Sequence, residues 1–316
     1  MQYQFLTFSF SLIFLIVSAN LLLKFIEKFA GRIKISPLVI GATIIAIGTS
    51  LPETFVAFSS LAQNAADISL GDIIGSNIAN ISLVLGLGIL LFPVRIGTEK
   101  TQRNNLVMLL STAAFVGLFL IPPEYRRMLG VLLIIFYATF LIMETVWGET
   151  GRQKEDKKAL SKLSTRKGNA LVYFLGILAS IAGLIISSRY LVASVIYFSK
   201  LFNISGEIIG LSVVALGTSL PELATTIASG INKDWKLLYG DVQGSNIYNL
   251  SIIGAILFLS GKMNYNPPIY PLVILCLATL TIIYLSKKYE GTNIPRVYGL
   301  LYLGLYAFYI AKIYTS

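Results

Sequence analysis

Residues 48–53 read GTSLPE, and residues 217–222 read GTSLPE again. Each copy lies inside a long apolar stretch. Each sets a carboxylate directly after a proline, at a depth where charge is expensive and proline breaks a helix. The hexapeptides belong to a longer repeat. Residues 41–84 align with residues 210–253 at a constant offset of 169, without a gap, and 17 of the 44 positions are identical. GATIIAIGTSLPE matches GLSVVALGTSLPE, and GDIIGSNIANIS matches GDVQGSNIYNLS.

The chain around the repeats is that of an integral membrane protein. Of its 316 residues 55% are hydrophobic and 13% charged, against about 25% charged in a soluble domain. Apolar runs near 20 residues, the length a helix needs to cross a bilayer, recur throughout. Ten spanning helices are expected, at 4–28, 37–62, 70–92, 104–121, 127–147, 169–199, 206–230, 237–260, 269–286 and 296–313. The run Phe5–Leu23 has no basic residue before it and reads as a retained helix rather than a signal peptide.

Five spans separate equivalent positions, so the second copy is inverted relative to the first. The expected fold is all-α: ten transmembrane helices as two inverted-topology repeats of five, residues 1–150 and 169–316, joined by a linker at 151–168. Inverted repeats with interrupted helices at matching positions are a signature of secondary transporters, whose sites lie near the bilayer midplane. Of the 25 basic residues, 19 fall on the odd-numbered connections. The positive-inside rule then puts both termini outside and the central loop in the cytoplasm.

Several function classes lose ground. The net charge of +10 follows from topology and does not call for nucleic acid. Histidine is absent, which removes imidazole ligands and histidine relays. Cys276, the one cysteine, cannot form an internal disulfide and reads as a small apolar residue. A hydrolase built on the serines and glutamates would lack a visible base, so the chain is not expected to be an enzyme. No cofactor is expected.

The hexapeptide is read as an oxygen-ligand site. Pro52 and Pro221 free the carbonyls of Gly48 and Gly217 and should split each helix around a short unwound segment. Such backbone at membrane depth needs protein or a wet cavity around it. Carbonyls at Ala46 and Ala215 also tilt free, Thr49, Ser50, Thr218 and Ser219 add hydroxyls, and Glu53 and Glu222 add carboxylates. Hard cations such as Ca2+ and Na+ prefer such oxygens. One charge at the bilayer centre costs at least about 2.5–3.5 kcal/mol, and a cation held between two glutamates would offset it. On the partner helices, Ser76 with Asn80, and Ser245 with Asn249, lie four apart on one face. Gly71 and Gly75, like Gly240 and Gly244, have spacing that lets helices approach closely. Asp72 and Asp241 read as helix caps after a loop, not as ligands. The cluster is therefore expected to carry two formal negative charges.

The paired GTSLPE segments, each followed by a GSN-containing helix, resemble the alpha repeats of the cation/calcium exchanger superfamily, nearest to its prokaryotic sodium/calcium exchangers. The resemblance implies Na+/Ca2+ antiport by alternating access, with a calcium/proton exchanger as the alternative. It implies that Glu53 and Glu222 bind Ca2+, helped by the carbonyls of Thr49 and Thr218. Sodium would use the carbonyls of Ala46 and Ala215 and the oxygens of Thr49, Ser50, Ser76, Thr218, Ser219 and Ser245, with Asn80 and Asn249 completing the centre. Some relatives carry aspartate where this chain has Asn249. The resemblance further implies that the first and sixth helices slide across the other eight. The expected setting is a cell membrane, the expected partners are Ca2+, Na+ and the lipid bilayer, and the protein is expected to act as a monomer.

Overall fold

The computed structural model describes residues 2–32, 47–95, 99–151, 169–263 and 265–315. These residues form helices and connections, with no strand among them beyond an isolated bridge between Arg95 and Asn293. In chain order the helices are α1 (Gln2–Arg32), α2 (Leu51–Ala62), α3 (Ala66–Leu91), α4 (Glu99–Gly117), α5 (Pro123–Gly151) and α6 (Ala170–Phe202). Then come α7 (206–218), α8 (Leu220–Ile231), α9 (235–259), α10 (Ile269–Lys288) and α11 (Arg296–Thr315).

Nine stretches among the described residues are long and apolar enough to span a membrane, with α7 and α8 counted as one. The remaining expected span, 37–62, is described from Ile47 onward. Wherever both ends of an expected helix are described, they fall within about five residues of expectation.

The inversion is visible in the packing of α1 on α6. A Cβ on Gly183 would meet Ser18, one on Gly176 would meet Phe25, and Phe5 lies 5.5 Å from Phe198, ring to ring. Residue numbers rise along one helix as they fall along the other, so the two are antiparallel. Shifting α1 by the repeat offset lands on α6, so equivalent helices run in opposite directions. Leu15, Ala19 and Leu22 bury against Leu184, Leu191, Val192 and Val195 in a core that Val56 of α2, Ile68 of α3 and Ile209 and Val214 of α7 also enter. At 1.5 Å per residue, α1 and α6 are about 46 and 50 Å long, well beyond the roughly 30 Å of a hydrocarbon layer.

The two repeats also share backbone detail. After α2, Asn64 takes a left-handed conformation (φ 55°) and the Ala65 amide donates to Ser60 O at 2.8 Å. After α8, Lys233 does the same (φ 58°) and the Asp234 amide donates to Ser229 O at 2.9 Å. Each pair of residues is 169 apart.

The second core surrounds α3 and α9, whose apolar residues are almost entirely buried. Both helices widen midway into a π turn, at Asn80–Leu85 and Asn249–Ile253, and α7 has a third at Gly210–Val214. Helices α3 and α7 touch backbone to backbone: a Cβ on Gly71 would lie 2.4 Å from Glu207 O, and one on Gly75 would lie 2.5 Å from Leu211 O. The Gly71/Gly75 spacing thus has its expected use.

Candidate cation site

Both hexapeptides break their helices at the serine. Ser50 (φ −90°, ψ 13°) and Ser219 (φ −79°, ψ 3°) sit in the sparsely populated bridge region. Pro52 and Pro221 follow in the first turn of α2 and α8, where a missing N–H costs nothing. The break is short, as expected, but only one residue long, and the Ala215 carbonyl is not released by it: it still accepts from the Ser219 amide at 3.1 Å. Glu53 and Glu222 fall in the first turn after it, where the helix dipole favours negative charge.

The structure buries the expected residues that it describes and brings several of them into contact. Thr49, Ser50, Glu53, Ser76, Asn80, Ala215, Thr218, Ser219, Glu222, Ser245 and Asn249 are all buried. Ala46 lies outside the described residues. The contacts cross between repeats. Ser50 Oγ comes within 3.5 Å of Glu222 Oε1. Thr218 and Ser76 hydroxyls lie 3.2 Å apart, and their equivalents Thr49 and Ser245 lie 3.0 Å apart. Asn80 Nδ2 donates to Asn246 Oδ1 at 3.1 Å, and Asn246 Nδ2 donates to Asn77 O at 3.2 Å.

Buried oxygens without a hydrogen-bond partner concentrate here. Both carboxylate oxygens of Glu53, Glu222 Oε2, Asn80 Oδ1, Asn249 Oδ1 and Ser219 Oγ are in this state. An unpaired buried acceptor costs about 1–3 kcal/mol, and more when charged. A set of such acceptors on two glutamates, two asparagine carbonyls and a hydroxyl suits a hard cation as ligand. The asparagines open the two π turns, a helix form concentrated at functional sites.

Asp72 and Asp241 correct the sequence reading. They do not cap helices. Helix α3 starts at Ala66, and α9 starts at Trp235 behind Asp234, whose own side chain accepts from the Leu237 amide. The left-handed Asn64 and Lys233 turn the chain early enough to begin each helix upstream of the GD pair. Asp72 and Asp241 are therefore 1% and 2% exposed, inside the bundle. Thr218 Oγ1 donates to Asp72 Oδ1 at 3.0 Å, and Thr49 Oγ1 donates to Asp241 Oδ1 at 3.2 Å. Glu53 is within coulombic reach of Glu222 and Asp72, and Glu222 of Asp241. The cluster thus has four carboxyl groups, not two. The signal was the second GD, which repeats at the same offset as the glutamates.

Residues 3–146 and 172–315 match the sodium/calcium exchanger protein family. The chain belongs to that family. It is 30% identical over 313 residues to the putative antiporter CaxA of Alkalimonas amylolytica, covering 96% of this chain and 97% of that one. It is 29% identical to the sodium/calcium exchanger MaX1 of Methanosarcina acetivorans, covering 93% and 96%. Among solved structures it resembles the sodium-calcium exchanger NCX_Mj soaked with 100 mM Na+ and 10 mM Sr2+, at TM-score 0.63 and 30% identity over 98% of this chain and 97% of that one. Membership of this family makes the chain a multi-pass membrane protein and a transporter by kinship.

Proposed function

We propose that this sodium/calcium exchanger family member is an antiporter that exchanges Na+ for Ca2+ by alternating access at the oxygen cluster between its repeats. The observation that carries this reading is the fully buried pair Glu53 and Glu222 at matching helix breaks, with three of their four carboxylate oxygens lacking a hydrogen-bond partner. Ca2+ is the ion that two glutamates, the Thr49 and Thr218 carbonyls and nearby hydroxyls suit. Na+ takes the carbonyls of Ala46 and Ala215 and the hydroxyls of Thr49, Ser50, Ser76, Thr218, Ser219 and Ser245. Asn80 and Asn249 hold the centre.

The packing favours movement of α1 with α6. Their apolar faces meet in a core separate from the larger one around α3 and α9, and a few residues of α2, α3 and α7 enter it. The glycines of the two hexapeptides face α1, since a Cβ on Gly48 would meet Leu23 and one on Gly217 would meet Leu12. Sliding α1 along this face would open the cluster to one side or the other. On this reading residues 1–150 and 169–316 are the two repeats, with residues 151–168 a cytoplasmic linker and both termini outside. The protein acts as a monomer in a cell membrane.

A second reading, calcium/proton exchange, is favoured by one observation: four carboxyl groups, each able to carry a proton, meet at the site. One experiment separates the two. Proteoliposomes carrying an outward Na+ gradient and no pH gradient should take up 45Ca2+. Uptake driven by a pH gradient and indifferent to Na+ would replace the first reading with the second.

A further inference from the structure

We propose that Asp72 and Asp241 are positioning residues for sodium: each carboxylate takes the hydroxyl hydrogen of the threonine in the opposite repeat's GTSLPE segment and so keeps the neighbouring carbonyl and hydroxyl oxygens available to Na+. This rests on the cation cluster of the proposed antiporter and adds a role for two residues outside its ligand set.

The geometry on the Asp72 side presents a competition. A threonine hydroxyl has one hydrogen and two lone pairs. Inside a helix that hydrogen ordinarily goes back to a carbonyl three or four residues earlier. Thr218 Oγ1 lies 3.1 Å from Val214 O and 3.3 Å from Ala215 O. It lies 3.0 Å from Asp72 Oδ1 on α3. A carboxylate oxygen is the stronger acceptor, roughly twofold over a neutral one. Asp72 therefore draws the hydrogen off α7. The Ala215 carbonyl, a proposed sodium ligand, then accepts only from the Ser219 amide at 3.1 Å and keeps its second lone pair open.

Asp72 Oδ1 also has the Ser76 hydroxyl at 3.4 Å, one turn along the same helix. With both hydrogens directed at one carboxylate, the Thr218 and Ser76 oxygens, 3.2 Å apart, turn their lone pairs elsewhere. Two such oxygens make a pair of neutral ligands for a monovalent ion.

The arrangement recurs in the other repeat. Asp241 Oδ1 accepts from Thr49 Oγ1 at 3.2 Å, and Thr49 and Ser245 hydroxyls are 3.0 Å apart. A packing role alone would not require two carboxylates, each at most 2% exposed, to meet a threonine of the opposite repeat at equivalent positions. Glu53 and Glu222, the proposed calcium ligands, are not held by either aspartate in this way. The effect of losing Asp72 or Asp241 should fall on sodium first.

The test measures Na+ and Ca2+ separately, by calorimetry on the detergent-solubilised full chain and by the Na+ dependence of 45Ca2+ flux in proteoliposomes. Asp72→Ala should weaken Na+ binding about tenfold, the scale of one charge-assisted hydrogen bond, while Ca2+ affinity moves far less. Asp72→Asn keeps an acceptor at Oδ1 without the charge and should recover part of the loss. Adding Asp72→Ala to Thr218→Val should cost little beyond Thr218→Val alone, because the hydroxyl that Asp72 orients is already gone. Asp241→Ala and Asp241→Asn with Thr49→Val repeat the design and stand in if the Asp72 variants do not fold. Equal loss of Na+ and Ca2+ affinity, no rescue by asparagine, or additive losses in the double variant would overturn the proposal. Wild-type protein that binds neither ion would instead overturn the antiporter reading.

Discussion

Thr218 on α7 donates its hydroxyl hydrogen to Asp72 on α3 at 3.0 Å, across the boundary between the repeats. Its equivalent one repeat away, Thr49, does the same to Asp241 at 3.2 Å. The site is thus shared: each half supplies a broken helix, and the other half supplies the groups that hold it. A duplicated unit that only packed would satisfy its polar groups. This one leaves its two glutamates short of partners, at the place where a cation would serve.

The glutamates give the first expectation. Glu53→Gln and Glu222→Gln each remove one charge from the same cation, and an amide cannot replace it. Each should abolish Na+-driven 45Ca2+ flux while the protein still elutes as a folded species in detergent. Near-normal flux in either variant would remove the central residues from the mechanism.

Proline at the break gives the second. Pro52→Ala and Pro221→Ala restore an N–H that can reach the carbonyl four residues back, Gly48 or Gly217. The helix should close across Ser50 or Ser219 and recapture oxygens the cation needs. Cation affinity should fall by roughly an order of magnitude, the worth of a hydrogen bond or two. Calorimetry showing unchanged Ca2+ binding in both variants would mean the break does not set the site.

Much of this is legible in the sequence alone. The repeat offset named the equivalent residues, and breakers placed the helices to within about a turn. The positions of Asp72 and Asp241 were not legible, because a GD pair after a short loop has the local signature of a cap. Whether it caps depends on how the loop closes. Here closure depends on a left-handed residue, which Asn64 hints at and Lys233 does not. The π turns at Asn80 and Asn249 were also hidden. They widen the helix by packing, and the residues they use have no period of their own.

The contact of α3 with α7 gives the third expectation. A Cβ on Gly75 would lie 2.5 Å from Leu211 O and 2.6 Å from the Ala215 Cβ, and backbone cannot swing aside as a side-chain end can. Gly75→Ala should lower stability by about 1–3 kcal/mol, the usual cost of overpacking, read as a drop in the thermal midpoint in detergent. Gly304→Ala on α11, with nothing within 4 Å of its Cβ position, should be neutral or raise the midpoint, since alanine favours helix by about 1 kcal/mol over glycine. Equal effects at the two positions would show that helix propensity, not close approach, governs both.

Asn249 gives the last. It is fully buried, at the start of a π turn, and both its side-chain polar atoms lack a partner. An amide stays neutral at every working pH, so position 249 contributes no proton-dependent charge to the cluster. Asn249→Asp adds a fifth carboxyl group at the proposed site. In its protonated form that group resembles the amide it replaces. When ionised, it adds one negative charge in the midst of the sodium ligands. The Na+ half-saturation of the variant should therefore approach the wild-type value in acid and fall below it as pH rises, where the added charge holds Na+ more tightly. The original four carboxyl groups are present in both proteins, so the difference between their pH profiles isolates position 249. Measuring Na+ half-saturation for Ca2+ flux across pH in both proteins decides the matter: parallel profiles would place Asn249 outside the ion cluster, and divergence with rising pH would place it inside.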